Sequence, residues 1–396
     1  MLKGNKRLVI ITACLDDWGG SEELWAKSIP YLKKEGIEQI TLYKNRVNID
    51  NEQFKNLLAD GLKYREFDNS SSNYFKLIAS KSKHVLGRIA DKLGLAEFSW
   101  NKSAKQISTF LGKDKPDFAI ISQGINFDGL SFAYECLKLN IPYIVVAHKA
   151  VEFYWPSSGD RDYMRKTLLQ AKKCLFVSNH NLRITEEQFG VKLPNSQIIL
   201  NPVKTKVLPL PFPTTENGIK LACVGRLFLI DKGQDILLRV LAAPKWRQRN
   251  VSITFFGKGQ DEQAIKDLTK LLDLNNINFN GYSDNLSSIW NQHHALILPS
   301  RSEGLPLTII EAMSFARPVI ASNAGGNAEI VQDGITGFIG EANEFAFGVA
   351  MERAWQQLSN WEEIGKSGAE YIKLNLPENP ERIFAELVIN SFEVIK

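Results

Sequence analysis

The chain has 396 residues, of which 44% are hydrophobic, 10% aromatic and 23% charged, a composition of an ordinary globular protein with room for two domains. Its net charge of +4 suits an anionic ligand and falls short of the basic footprint of a nucleic-acid binder. Cys14, Cys136, Cys174 and Cys223 form no C-x-x-C pair, which fits buried thiols in a reducing cytoplasm better than a zinc site or a disulfide framework.

The first residues, Met1 to Arg7, lack a signal-peptide core, and no stretch approaches the roughly 20 apolar residues that span a bilayer. Leu8 to Ala13 reads as a buried strand. It leads into Asp17-Trp18-Gly19-Gly20-Ser21-Glu22 and a helix whose apolar positions are Leu24, Trp25, Ile29 and Leu32. Residues 74–93 mix five cations with large apolar side chains at helical spacing. Two readings stand there, an interfacial helix on anionic lipid and a packed helix with a solvated basic face. Further apolar runs follow at Phe118 to Ile121, Tyr143 to Ala147, Cys174 to Val177 and Ile198 to Leu200. His148 ends the third of the strand-like runs.

The proline stretch beginning at Leu208 cannot continue a helix or a central strand, because proline fixes φ and lacks the N–H. It divides the chain into 1–207, a linker at 208–217, 218–377 and a closing helix at 378–396. Beyond it the runs Ile219 to Val224, Ile253 to Phe256, Ala295 to Leu298 and Val319 to Ala321 alternate with helical patterns. Short apolar runs separated by amphipathic stretches describe parallel strands of a doubly wound α/β fold.

Two segments of the second half carry chemistry. In Gly225-Arg226-Leu227-Phe228-Leu229-Ile230-Asp231-Lys232-Gly233, two cations flank a strand-to-helix loop. A forked guanidinium, an ammonium and a helix N-terminus are what a diphosphate requires. In Ser300-Arg301-Ser302-Glu303-Gly304-Leu305-Pro306-Leu307-Thr308-Ile309-Ile310-Glu311, one carboxylate sits in a Gly/Pro loop after a strand and the second lies along the following helix. Carboxylates accept hydrogen bonds from vicinal diols, and unpaired first-turn N–H groups favour anions. No D-x-D-like pair sits at a strand end, so neither a metal nor a cofactor is expected.

The stretch from Ser300 to Phe338, with Arg226 and Lys232 before it, resembles family 4 retaining glycosyltransferases of the GT-B fold. That resemblance implies two Rossmann-like doubly wound parallel-sheet domains facing across a cleft, with the C-terminal helix crossing back to the N-terminal domain. It implies transfer of a sugar from an NDP-sugar (UDP- or GDP-) to an acceptor hydroxyl, in polysaccharide or glycolipid assembly. The cysteines and the missing signal-peptide core point to the cytoplasm, and the interfacial reading of residues 74–93 would set the protein on the inner face of the membrane. The acceptor would be a carbohydrate or a lipid-linked carbohydrate. Arg226 and Lys232 inherit the donor diphosphate, Glu303 a donor-sugar hydroxyl, and Glu311 the ribose hydroxyls. Gly304, Leu305, Pro306 and Leu307 inherit backbone contacts, Gly19 and Gly20 the N-terminal glycine loop, and His148 a contact near the reacting carbon. Gly325 and Gly326 match a family glycine pair, or form a plain turn. Asn201-Pro202-Val203 departs from the family's Asn-Gly-Val. A nucleotide-sugar epimerase, a phosphorylase and a degenerate nucleotide-sugar-binding protein are the alternatives, and a dehydrogenase lacks its G-x-G-x-x-G.

Overall fold

A computed structural model describes residues 6–14, 18–67, 102–203 and 205–393; the basic segment 74–93 lies outside them. The chain divides into two compact units, residues 1–202 with 379–396, and residues 203–378.

In the first unit, β1 (Arg7–Thr12), β2 (Gln39–Lys44), β3 (Lys63–Glu66), β4 (Phe118–Gln123), β5 (Tyr143–Ala147), β6 (Lys173–Phe176) and β7 (Ser196–Ile198) form a parallel sheet in the order β3-β2-β1-β4-β5-β6-β7. The central strands carry apolar runs, Leu8 to Ile11 in β1, Phe118 to Ile121 in β4 and Tyr143 to Ala147 in β5, because both faces are covered. Val9, Ile11, Ala119, Ile121 and Val145 pack to one side, with Ile107, Leu130 and Met164 from helices. Leu8, Ile10, Phe118, Ile120 and Val146 pack to the other, with Leu24, Trp25 and Ile29 of the helix Gly20–Lys34. The alternation is the period of two that a strand imposes on its side chains. The helix Pro380–Glu393 belongs to this unit and buries Phe384, Val388 and Phe392 on the second face, with the Phe392 and Phe118 ring centroids 4.6 Å apart.

In the second unit, β8 (Ile219–Val224), β9 (Val251–Phe256), β10 (Ile277–Gly281), β11 (Ala295–Leu298), β12 (Val319–Ser322) and β13 (Gly337–Gly340) are also parallel, in the order β10-β9-β8-β11-β12-β13. Strand order reverses between β8 and β11, and ligands of open α/β sheets bind at such a reversal, beyond the carboxyl ends of the strands. The proline stretch expected as a linker packs on this unit. Arg317, fully buried, donates to the carbonyls of Leu210 at 3.2 Å and Pro211 at 2.7 Å. The Leu208 N–H reaches the Ser314 carbonyl at 2.9 Å.

Candidate active site

Of the sequence-predicted residues of the second unit, Lys232 and Glu303 are brought together, on the loops that follow β8 and β11. After β8 the chain turns through Gly225 into a short helix, Leu229–Lys232, and then through Gly233 into the helix Gln234–Ala242. Gly233 has φ +60°, and a methyl group there would collide with the Pro299 carbonyl of the neighbouring loop. Only glycine permits both the left-handed turn and this approach. The result places Lys232 against the loop that follows β11.

Lys232 Nζ donates to Glu303 Oε1 at 2.7 Å, and the two side chains are 17% and 7% exposed. The buried Ser300 hydroxyl donates to the same oxygen at 2.6 Å. One oxygen of the Glu303 carboxylate thus holds two protein donors. Arg226 is 55% exposed on its side chain and lies 3.9 Å from Asp231. Glu311, on the helix Leu307–Ser314, is buried. That helix starts directly after Pro306, so the N–H groups of Leu307 and Thr308 have no partner one turn back.

The two loops are laced together by residues that sequence reasoning did not single out. The N–H groups of Arg301 and Ser302 donate to the Asp231 carbonyl at 2.7 and 3.1 Å. The Arg301 guanidinium donates to Asp235 through both nitrogens, at 2.7 and 2.8 Å, and to the Leu229 carbonyl at 2.8 Å. Burial works to raise the Asp235 carboxyl, but hydrogen bonds from Arg301 and Arg239 outweigh it and hold the group below its usual range. The Ser302 hydroxyl, also buried, finds no hydrogen-bond partner among the described residues. The one available signal was position, since Ser300, Arg301 and Ser302 directly precede Glu303.

The glycine pair braces the same loop. Gly325 has φ +55° and would place any Cβ into the Glu303 carbonyl. The Gly326 N–H donates to the Gly304 carbonyl at 2.8 Å. This turn is therefore the support on which Glu303 rests.

Gly19, Gly20 and His148 belong to the first unit. Gly19 precedes the helix Gly20–Lys34, and its carbonyl accepts from Glu22 and Glu23 at 3.0 and 3.2 Å. Beneath the turn Glu22 and Lys44 form a buried ion pair at 3.0 Å, and Lys44 also donates to the Cys14 carbonyl at 2.8 Å. His148 follows β5, is 8% exposed, and its Nε2 lies 3.2 Å from the Ser122 hydroxyl. Burial lowers its pKa to about 4, with the Asn201 side chain working against that shift. The imidazole is neutral near pH 7. Asn201, the first residue of the departing Asn-Pro-Val triplet, is thus a neighbour of His148.

Residues 218–357, the greater part of the second unit, match the family model described as glycosyl transferases group 1. The chain resembles the group 1 glycosyltransferases. An uncharacterized glycosyltransferase of Haemophilus influenzae is 31% identical over 221 residues, which is 53% of this chain and 59% of the relative. The matches to this and two further curated relatives span 54–65% of those proteins' length. Among solved structures, Anabaena HepE in complex with UDP is 16% identical, with a TM-score of 0.71 over 97% of this chain and 100% of that one. The lipopolysaccharide outer core galactosyltransferase WaaB in its apo form is 17% identical, with a TM-score of 0.67 over 97% of this chain and 99% of its own. The fold is that of the GT-B glycosyltransferases.

Proposed function

We propose that the protein is a retaining glycosyltransferase that moves a sugar from a nucleoside-diphosphate sugar to an acceptor hydroxyl. The observation that carries the reading is the meeting of Lys232 and Glu303 where strand order reverses, inside the segment matching the glycosyltransferase family model. An ammonium and a carboxylate held together by two loops supply a phosphate ligand and a hydroxyl acceptor at one place. UDP in the structurally similar Anabaena protein favours a UDP-sugar as the first donor to try, and WaaB favours a polysaccharide or glycolipid acceptor.

In this reading Arg226 and Lys232 bind the diphosphate, and the first-turn N–H groups of Leu307 and Thr308 add donors to it. Gly304, Leu305 and Pro306 bring backbone close to the donor, and the Ser302 hydroxyl, without a partner among the described residues, gains a ligand there. Glu311 holds the ribose hydroxyls. When the phosphate draws Lys232 to itself, Glu303 turns to a sugar hydroxyl. The bond from anomeric carbon to phosphate oxygen breaks with its electron pair passing to the diphosphate. The acceptor oxygen bonds to the same carbon on the same face, and its proton goes to the departing phosphate oxygen. Negative charge grows on the diphosphate as this happens, so the two cations stabilise the transition state more than the ground state. His148, Gly19 and Gly20 keep the roles that the family resemblance implies.

The test begins with thermal-shift screening against UDP, GDP and ADP and their sugars, where a ligand at 100 times its Kd stabilises by about 2.7 kcal/mol. Transfer from the stabilising α-donor should survive a chelator and give an α-linked product. Stabilisation by none of them, or a β linkage assigned by NMR, would overturn the reading.

A further inference from the structure

The first unit presents three consecutive aromatic side chains to solvent at the carboxyl end of its sheet. Phe153, Tyr154 and Trp155 are 72%, 53% and 57% exposed, in the loop that follows β5 and His148. A connecting loop with only a structural role gains nothing from three large apolar groups in water. This loop is also held firmly. The buried Asn126 amide donates to the carbonyls of Val151 and Tyr154, both at 3.1 Å, and accepts from the Val151 N–H at 2.9 Å. The buried Gln188 amide donates to the same two carbonyls at 2.8 and 2.9 Å. The Tyr154 ring stacks on Phe127 at 5.2 Å, and the Trp155 indole N–H is satisfied by the Glu152 carbonyl at 2.9 Å.

Beside the rings stands a carboxylate. Glu152 Oε1 lies 2.8 Å from His180 Nε2, and that hydrogen bond holds the acid below its usual range, so it is ionised near neutral pH. Glu152 and Asp160 are the charged residues between 152 and 160, with Lys149 and Arg161 flanking them in the chain and Arg183 acting on Glu152. We propose that Phe153, Tyr154, Trp155 and Glu152 form a docking platform for a saccharide segment of the acceptor. This rests on the glycosyltransferase reading and adds a specific acceptor subsite to it. A pyranose offers a face of C–H groups to the negative faces of aromatic rings, and a rim of hydroxyls to an ionised acceptor group. A pre-set loop recognises such a ligand without first paying to order itself. A saccharide is favoured over an anionic lipid surface because the charged group next to the three rings in the chain, Glu152, is an ionised acceptor that hydroxyls can donate to and that lipid phosphates repel.

The experiment applies the full chain to an array of neutral and acidic oligosaccharides, as wild type, Phe153→Ala/Trp155→Ala and Glu152→Gln. Tyr154 stays in place because its ring packs on Phe127. The wild type should retain at least one class of glycan. Its signal should fall at least tenfold in the double variant and severalfold in Glu152→Gln, with UDP affinity by calorimetry within twofold of wild type in both. No glycan retained by the wild type, or equal retention by all three proteins, overturns the platform. Loss of binding to phosphatidylglycerol vesicles in the double variant without loss of any glycan overturns it in favour of a membrane contact. A wild type that binds glycans but no nucleotide refutes the glycosyltransferase reading and leaves the platform standing.

Discussion

Replacing Lys232 with methionine removes one partner from a buried ion pair and leaves the other in place. Loss of one member of such a pair costs about 3–5 kcal/mol, because the remaining charge keeps its desolvation penalty without its compensation. Glu303 is 7% exposed, Lys232 is 17% exposed and Ser300 still donates to the carboxylate, which places the expected loss at the lower end, about 3 kcal/mol. A chain of two units need not unfold in one step. The suitable assay is therefore native-state hydrogen exchange read on the slowest amides of β8 and β11. At a factor of ten per 1.4 kcal/mol, these should exchange about 100-fold faster. Lys232→Met/Glu303→Gln removes both charges and should recover more than half of the loss, since two neutral groups of similar shape leave no orphan charge. A change below threefold in the single variant, or a double variant worse than the single, would show that the pair does not hold these loops together.

Gly325→Ala combines a left-handed backbone, φ +55°, with a collision at the Glu303 carbonyl. It should cost at least about 1–2 kcal/mol from the backbone alone and reduce transfer by displacing Glu303, so unchanged melting and turnover would contradict the close approach. His148 has a pKa lowered from 6.5 to about 4 by burial, and its contribution to stability is complete above pH 6.5 and lost as pH falls towards 4. At 1.36 kcal/mol per pKa unit that is about 3 kcal/mol. Asp128, raised by burial from 3.8 to about 7, acts in the opposite direction, with stability lost as pH rises towards 7. Denaturation of wild type and His148→Gln at matched pH isolates the histidine. The acid-side loss should be smaller in the variant, and parallel pH curves would refute a neutral buried imidazole.

The buried strands were legible because their sequences are. β1, β4, β5, β8, β11 and β12 are apolar runs covered on both faces, and the period between them announced the doubly wound pattern. β2, β3, β10 and β13 did not stand out. Three of these four lie at sheet edges, where Lys63-Tyr64-Arg65-Glu66 and Ile277-Asn278-Phe279-Asn280-Gly281 meet solvent and keep polar side chains. The candidate site of the second unit was legible as residue types at strand-to-helix loops. What the loops do to one another was not. Arg301 reaching Asp235, Ser300 bonding to Glu303 and Gly325 resting on the Glu303 carbonyl are contacts between segments separated in the chain, which no local pattern encodes. The aromatic loop at 153–155 escaped notice because three aromatics in a row read as core until their exposure is seen.

The division of labour between the two carboxylates is the claim on which the account most depends. Calorimetry of free UDP and GDP with wild type, Glu311→Ala and Glu303→Ala tests it directly. A ribose contact made by Glu311 predicts that Glu311→Ala weakens the free nucleotide diphosphate by about 1.5–3 kcal/mol, the range of a charge-assisted hydrogen bond. Glu303→Ala should leave that affinity equal or raised, because Lys232 is freed from its 2.7 Å partner for the phosphate, while transfer of sugar is crippled. Equal losses in both variants, or no loss in Glu311→Ala, would contradict the assignment.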